Sequence, residues 1–86
     1  MKNVTISIIQ YCEYHKIEPQ FLIDLHQNDL VILKERNHEY FIDEEDLTKV
    51  ERYTEFYYNL GINLEGIEVI SHLLEQIESL QKKLNN

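Results

Sequence analysis

The sequence has few of the residues that mark several common protein classes. Its single cysteine, Cys12, cannot form an internal disulfide, so nothing indicates an oxidising compartment. Alanine is absent and glycine occurs only twice, which excludes a glycine-rich phosphate-binding loop. No apolar run approaches the roughly 20 residues that cross a bilayer, and the opening nine residues lack the long apolar stretch and cleavage site of a signal peptide. We therefore expect a cytoplasmic protein without a membrane span.

Positive charge is scarce as well. The sequence has eight Lys and Arg residues and sixteen Asp and Glu residues, which gives a net charge of −8 at pH 7. Residues 17–33 contain no Lys or Arg, although Glu18, Asp24 and Asp29 lie there. Such a balance repels phosphate backbones unless the basic residues are concentrated on one face. Nucleic acid is therefore the unfavoured partner.

The length and the apolar content fit one small domain over residues 1–86. Apolar residues make up 43% of the 86 residues, and six Tyr and three Phe are among them. This is enough for a core and argues against disorder. A domain of this size buries only about 60–65% of its unfolded surface, so we expect modest stability unless the chain oligomerises.

Residues 1–30 carry the pattern of two short helices. Ser7 is a plausible N-cap for a helix that ends near His15. Pro19 suits the first position of a second helix, because its missing N–H has no helical partner there. The pair Asn28-Asp29 ends that helix, since Asn tolerates the left-handed conformation.

The remaining segments predict a hairpin and two longer helices. Two β-prone runs around a turn-forming Asn predict a hairpin, or wing, over residues 31–42. Asp43 caps a third helix over residues 43–61, with a core-facing stripe that includes Tyr53, Phe56 and Tyr57. Asn63 caps the last helix, over residues 63–84. The expected fold class is mainly α, with a small β-hairpin and a long C-terminal helix.

The last helix predicts a dimer. Its apolar residues recur near a 3.5-residue spacing, and a helix of this length spans about 30 Å, more than the rest of the domain easily covers. We expect an antiparallel coiled-coil contact with a second copy, and the alternative is that the helix folds back on the third helix. The expected dimerisation residues are Ile70, Leu73, Leu74, Ile77, Leu80 and Leu84.

The chain resembles the MerR winged-helix family in three features. These are the order of its elements, the segment Ile42-Asp43-Glu44-Glu45-Asp46-Leu47 and the later segment 60–67 (LGINLEGI). The resemblance implies a MerR-like winged helix-turn-helix in which the second helix enters the major groove, the wing touches the DNA backbone and the last helix dimerises. The chain departs from this pattern at three positions. Ile23 and Asp24 stand where the second helix typically offers arginine and tyrosine, and Tyr40 stands where the wing usually has arginine.

A narrower family combines this fold with acidity. The chain is similar to chaperone modulators of the CbpM type in four segments. They are the opening NVTISI, residues 17–31, the Ile42-Asp43 junction and the C-terminal LGINLEGIEVISHLLEQIESLQKKL. The resemblance implies binding to the J-domain of a DnaJ-like, curved-DNA-binding co-chaperone, whose partnership with a DnaK-type chaperone is then blocked. J-domains carry a basic helix, which an acidic surface free of lysine would complement.

The candidate partner surface is the outward face of the first two helices. Ile23 is expected to be an exposed apolar contact rimmed by polar and acidic groups, and the alternative is that it packs against the wing. Tyr14 is a neighbour on the same side. The candidate partner-binding residues are Glu13, Glu18, Gln20, Ile23, Asp24 and Gln27.

The remaining groups of polar and charged residues are more typical of structural roles than of metal binding or catalysis. Cys12, His15 and Glu18 are too few ligands for a metal site, and the other histidines, at 26, 38 and 72, are scattered. The same Cys–His spacing offers no oxyanion hole, so we expect no enzyme, no metal and no cofactor. Lys34 and Arg36 are expected to be solvated charges. Two other functions stay open: a truncated MerR-type regulator that binds DNA, and a binder of some other basic protein.

Overall fold

The computed structural model describes residues 4–85 and has the expected fold class. Within these residues, four α-helices accompany a three-stranded sheet, as in a winged helix-turn-helix. The elements are β1 (Thr5–Ser7), α1 (Ile8–His15), α2 (Pro19–Gln27), β2 (Leu33–Arg36), β3 (Glu39–Asp43), α3 (Glu44–Thr54), a π-helical segment (Glu55–Asn59) and α4 (Leu64–Leu84). The chain forms two compact units, and the boundary lies between Arg52 and Tyr53.

Helix α1 begins and ends through local contacts. Ser7 is its N-cap, as predicted, and its Oγ accepts a hydrogen bond from the N–H of Ile9 at 3.2 Å. Lys16 ends the helix in the left-handed conformation, with φ 57°. The N–H of Ile17 then donates to the carbonyl of Cys12 at 3.0 Å, which turns the chain toward α2.

Helix α2 starts with Pro19, as predicted, but ends differently from the prediction. Asn28 keeps φ at −97°, and Asp29 is the residue with positive φ, at 60°. The side-chain amide of Asn28 instead donates to the carbonyl of Asp24 at 2.8 Å. The amide therefore satisfies a carbonyl at the end of the helix, and the next residue makes the turn.

The sheet has the order β1-β3-β2, and both strand pairs are antiparallel. The predicted hairpin is confirmed, although its strands are β2 and β3 rather than the whole of residues 31–42. Asn37 and His38 both have positive φ, 50° and 67°, so they form a two-residue turn of type I′. The strand β1 was not predicted, because three residues are too short to show an alternating pattern.

The core of the first unit is formed by residues of α1, α2, the sheet and the part of α3 that belongs to this unit. Phe21, Leu22 and Leu25 form the buried face of α2, as predicted. The other buried apolar residues of this unit are Ile8, Tyr11, Cys12, Leu30, Val31, Leu33, Ile42 and Val50. The opposite face of α2 is consequently turned away from the core.

The third helix is interrupted before its predicted end. It is α-helical only to Thr54, and in the π-helical segment the N–H of Leu60 reaches the carbonyl of Glu55, five residues back, at 3.1 Å. The longer hydrogen-bond step changes the rotational phase of the side chains. Tyr53, which precedes this segment, is buried, whereas Tyr57 within it is 40% exposed, so the prediction that Tyr57 shares the core-facing stripe is wrong.

Helix α4 begins at the predicted cap. Asn63 Oδ1 accepts from the N–H of Gly66 at 2.8 Å, and a Cβ on Gly66 would lie 2.7 Å from the Ile62 side chain. Tyr53 donates its hydroxyl hydrogen to Ser71 Oγ at 3.0 Å within the second unit. Among residues 4–85, no helix combines the length and apolarity needed to cross a membrane.

Candidate protein-interaction site

Helices α1 and α2 are joined by a short turn over residues 16–18. Glu18 is the backbone N-cap of α2, and its carbonyl accepts the N–H of Phe21 at 3.1 Å. Its side chain makes no capping hydrogen bond and is exposed. The carboxylate of Glu18 therefore lies on the surface near the start of α2.

The outward face of α2 carries four of the candidate partner-binding residues. Gln20 and Gln27 are exposed, as predicted, and Asp24 is half-buried. The side-chain amide of Gln20 donates to Asp24 Oδ1 at 2.9 Å, so the structure brings these two side chains together. The face presents a carboxylate and two amides, and no cationic side chain lies between residues 17 and 33.

Ile23 differs from its prediction. It is half-buried rather than exposed, so the apolar contact that it offers is smaller than expected. Helical periodicity orients a residue only with respect to its own helix, so it does not determine how exposed the side chain is in the folded chain. The candidate surface on α2 is therefore more polar than predicted.

Glu13 and Tyr14 are the candidate residues on α1. Glu13 and Tyr14 are both exposed, but consecutive residues of a helix point about 100° apart. Tyr14 stacks edge-on against His15 and lines a cleft beside α1, whereas Glu13 is not among the residues of that cleft. That these two residues share one partner surface stays a prediction.

The wing carries less free positive charge than its sequence suggested. Lys34 Nζ lies 3.2 Å from Asp43 Oδ2, and Asp43 is buried, so the expectation that Lys34 is merely solvated is wrong. Lys34 pairs with Phe41 in the β2–β3 register, which makes Asp43 its diagonal neighbour on the same face. The Arg36 guanidinium lies 5.8 Å from the centre of the Phe41 ring. Both wing cations are thus engaged within the protein.

Cys12, His15 and Glu18 are the side chains that the sequence raises for metal binding or catalysis. Within residues 4–85, no group of three or more His, Cys, Asp and Glu residues could hold a metal ion. Burial raises the pKa of the Cys12 thiol from its ordinary value of 9.0 to about 11, and the Glu18 carboxylate adds to the rise. A thiol of this kind is a poor nucleophile at neutral pH.

Helix α4 offers a second candidate surface. Ile70 and Leu74 are half-buried, whereas Leu73, Ile77, Leu80 and Leu84 are 50–83% exposed. Five of these side chains are separated by alternating steps of three and four residues, which is the spacing of a coiled-coil contact. We call them the α4 seam: Ile70, Leu73, Ile77, Leu80 and Leu84.

A family model described as a MerR HTH family regulatory protein matches residues 6–86. The chain belongs to the MerR HTH regulatory family. No curated protein and no solved structure matches it. The MerR match covers the helix-turn-helix, the wing and α4, so it accounts for the shape of both candidate surfaces without identifying what they bind.

Proposed function

We propose that the chain is a non-enzymatic chaperone modulator of the CbpM type. It would act in the cytoplasm, bind the J-domain of a DnaJ-like, curved-DNA-binding co-chaperone, and inhibit the action of that co-chaperone with a DnaK-type chaperone. The observation that carries the proposal is the outward face of α2. On the helix with which this family typically meets DNA, the chain presents Asp24 between Gln20 and Gln27 and no cation.

Electrostatics supports a basic protein partner over a phosphate backbone. DNA affinity comes largely from Lys and Arg contacts to phosphates, and an acidic helix repels them. The same carboxylate attracts a basic helix and orients it during encounter. The inhibitory direction of the effect and the identity of the partner come from the resemblance of residues 17–31 and of the C-terminal segment to chaperone modulators.

The proposed modulator acts as a homodimer through the α4 seam. Four of the five seam side chains are at least 50% exposed, and a second copy would supply the same apolar stripe to cover them. Antiparallel pairing of two α4 helices would bury the stripe along its length. The partner surface on α1 and α2 belongs to a different compact unit of the chain.

The test exchanges one charge on the outward face of α2. Asp24→Lys should weaken J-domain binding by about tenfold or more, because it places a cation against a basic helix. Glu68→Lys, an exposed position of α4 outside the seam, makes the same change in net charge and should change affinity by less than about twofold. Isothermal titration calorimetry measures both, and circular dichroism confirms folding. Equal effects of the two variants would contradict the site.

The second candidate function is a DNA-binding regulator, and the family match favours it. A DNA binder is expected to carry Lys or Arg at positions 23, 24 and 40, where this chain has Ile23, Asp24 and Tyr40. Under this alternative, the wild-type protein would bind duplex DNA with a steep salt dependence. Asp24→Lys would then strengthen DNA binding rather than weaken J-domain binding, so the two candidate functions predict opposite effects of one variant.

A further inference from the structure

An open cleft of about 240 Å³ lies beside α1 in the first unit. Its aliphatic part comes from Ile6 and Leu47, and three rings of α1 line another side. Small-molecule sites usually measure about 300–1,000 Å³, so this cleft suits a single side chain better than a cofactor. None of the residues on the outward face of α2 lines it, which makes it a separate site.

The three rings form a continuous aromatic cluster. Tyr11 and His15 have ring centres 4.2 Å apart, and Tyr14 meets His15 edge-on at 5.0 Å. Tyr11 is buried, whereas Tyr14 is 83% exposed, so the cluster runs from the core to the surface. Aromatic faces carry partial negative charge and attract cations that approach them.

One carboxylate completes the cleft. Glu51 of α3 is exposed, and no hydrogen bond or ion pair engages its side chain among the described residues. The lining contains no Lys or Arg. Aliphatic groups, tyrosine faces and a carboxylate together match an arginine side chain, which has an apolar stem and a planar cationic head.

We propose that this cleft receives an arginine side chain of a basic protein partner. The aliphatic groups contact its stem, the Tyr14 ring stacks on the guanidinium, and Glu51 accepts hydrogen bonds from it. The inference rests on the proposed function only for the identity of the partner. The chemistry of the cleft follows from its own residues, and it adds a second contact to the surface on α2.

The test uses a probe that does not depend on the J-domain. Two-dimensional NMR would follow the isotope-labelled full-length protein during titration with Nα-acetyl-arginine amide, to about 20 mM because one such contact gives millimolar affinity. Chemical shifts should change at Tyr14 and Glu51. Nα-acetyl-citrulline amide, which has the same shape without the charge, should bind at least about fivefold more weakly.

Substitutions distinguish binding in the cleft from attraction of the probe by the overall negative charge of the protein. Glu51→Gln should weaken the binding of the arginine probe by about fivefold, whereas Glu45→Gln, an exposed acid of the same helix outside the cleft, should not. Tyr14→Ala removes an exposed ring and should also weaken binding. Equal binding of the arginine and citrulline probes, or shifts insensitive to Glu51→Gln, would overturn the inference.

A parallel titration with the J-domain distinguishes failure of the cleft proposal from failure of the proposed function. If the arginine probe binds in the cleft but the J-domain does not bind the protein, the cleft stands and the proposed function fails. If the J-domain binds in a manner sensitive to Asp24→Lys while the probe leaves the cleft unshifted, the proposed function stands and the cleft proposal fails. If both bind, Glu51→Gln should weaken J-domain binding by about fivefold.

Discussion

The side-chain amide of Gln20 donates a hydrogen bond to the carboxylate of Asp24, one turn later on α2, at 2.9 Å. The bond holds the carboxylate on the outward face of the helix and leaves its second oxygen available to an incoming cation. In a DNA-binding relative this position would meet negatively charged phosphates and base edges. On this chain the same helix carries no Lys or Arg, and we propose that it meets a positively charged partner.

The α4 seam predicts a dimer that a single charge disrupts. Leu80→Lys should shift the protein toward monomer, because it places a charge inside the apolar contact. Ser79→Lys changes the neighbouring exposed residue outside the seam and serves as the matched control. Sedimentation equilibrium measures both. A wild-type protein that stays monomeric at millimolar concentration would contradict the dimer.

The turn of the wing predicts a stabilising substitution. His38 has a φ of 67°, which costs a residue with a Cβ about 1 kcal/mol relative to glycine, and Asn-Gly is the preferred pair in this type of turn. His38→Gly should raise the free energy of unfolding by about 0.5–1 kcal/mol. His38→Ala keeps the Cβ and should give no such gain. Urea denaturation distinguishes the two, and equal stability of both variants would contradict the strain argument.

His26 links the end of α2 to the start of the wing. The N–H of Leu33 donates to His26 Nδ1 at 3.1 Å. His26→Leu leaves this partly buried N–H without an acceptor and should lower the free energy of unfolding by about 1–2 kcal/mol. His26→Asn supplies a side-chain oxygen in a similar place and should recover part of the loss. The contact has no role in stability if His26→Leu unfolds at the same urea concentration as the wild type.

The raised pKa of Cys12 predicts that the protein loses stability in alkaline solution. Its pKa is about 11 in the folded protein and is expected near the ordinary 9.0 when the chain unfolds. Between these pH values the unfolded state has released the proton while the folded state retains it, so the free energy of unfolding falls as pH rises from about 9 to about 11. Cys12→Ala lacks this contribution. Urea denaturation across the range should show a steeper fall in the wild type, and parallel curves would contradict the assignment.

Much of the fold could be predicted because its signals are local. The Ser7 and Asn63 caps, Pro19 at the start of α2 and the Asn37 turn each depend on a side chain that acts on its own backbone. The π-helical segment was missed because the apolar spacing before Leu60 suits an ordinary helix equally well. Its phase shift shows only in which tyrosines are exposed.

The candidate site could be predicted only in part. The identity and helical spacing of Gln20 and Asp24 already indicate their hydrogen bond. The Lys34–Asp43 ion pair and the cleft beside Tyr14 depend on segments that meet only after folding. A helical wheel drawn for one helix contains no information on contacts with segments that are distant in sequence.

The most direct test is a calorimetric titration of the wild-type protein with the isolated J-domain of a DnaJ-like co-chaperone from the same cell. It would be run at low and high salt, with duplex DNA titrated in parallel. Our account predicts saturable J-domain binding that weakens as salt rises, together with much weaker DNA binding. Absence of J-domain binding at micromolar concentrations, with salt-dependent binding to the duplex, would contradict it.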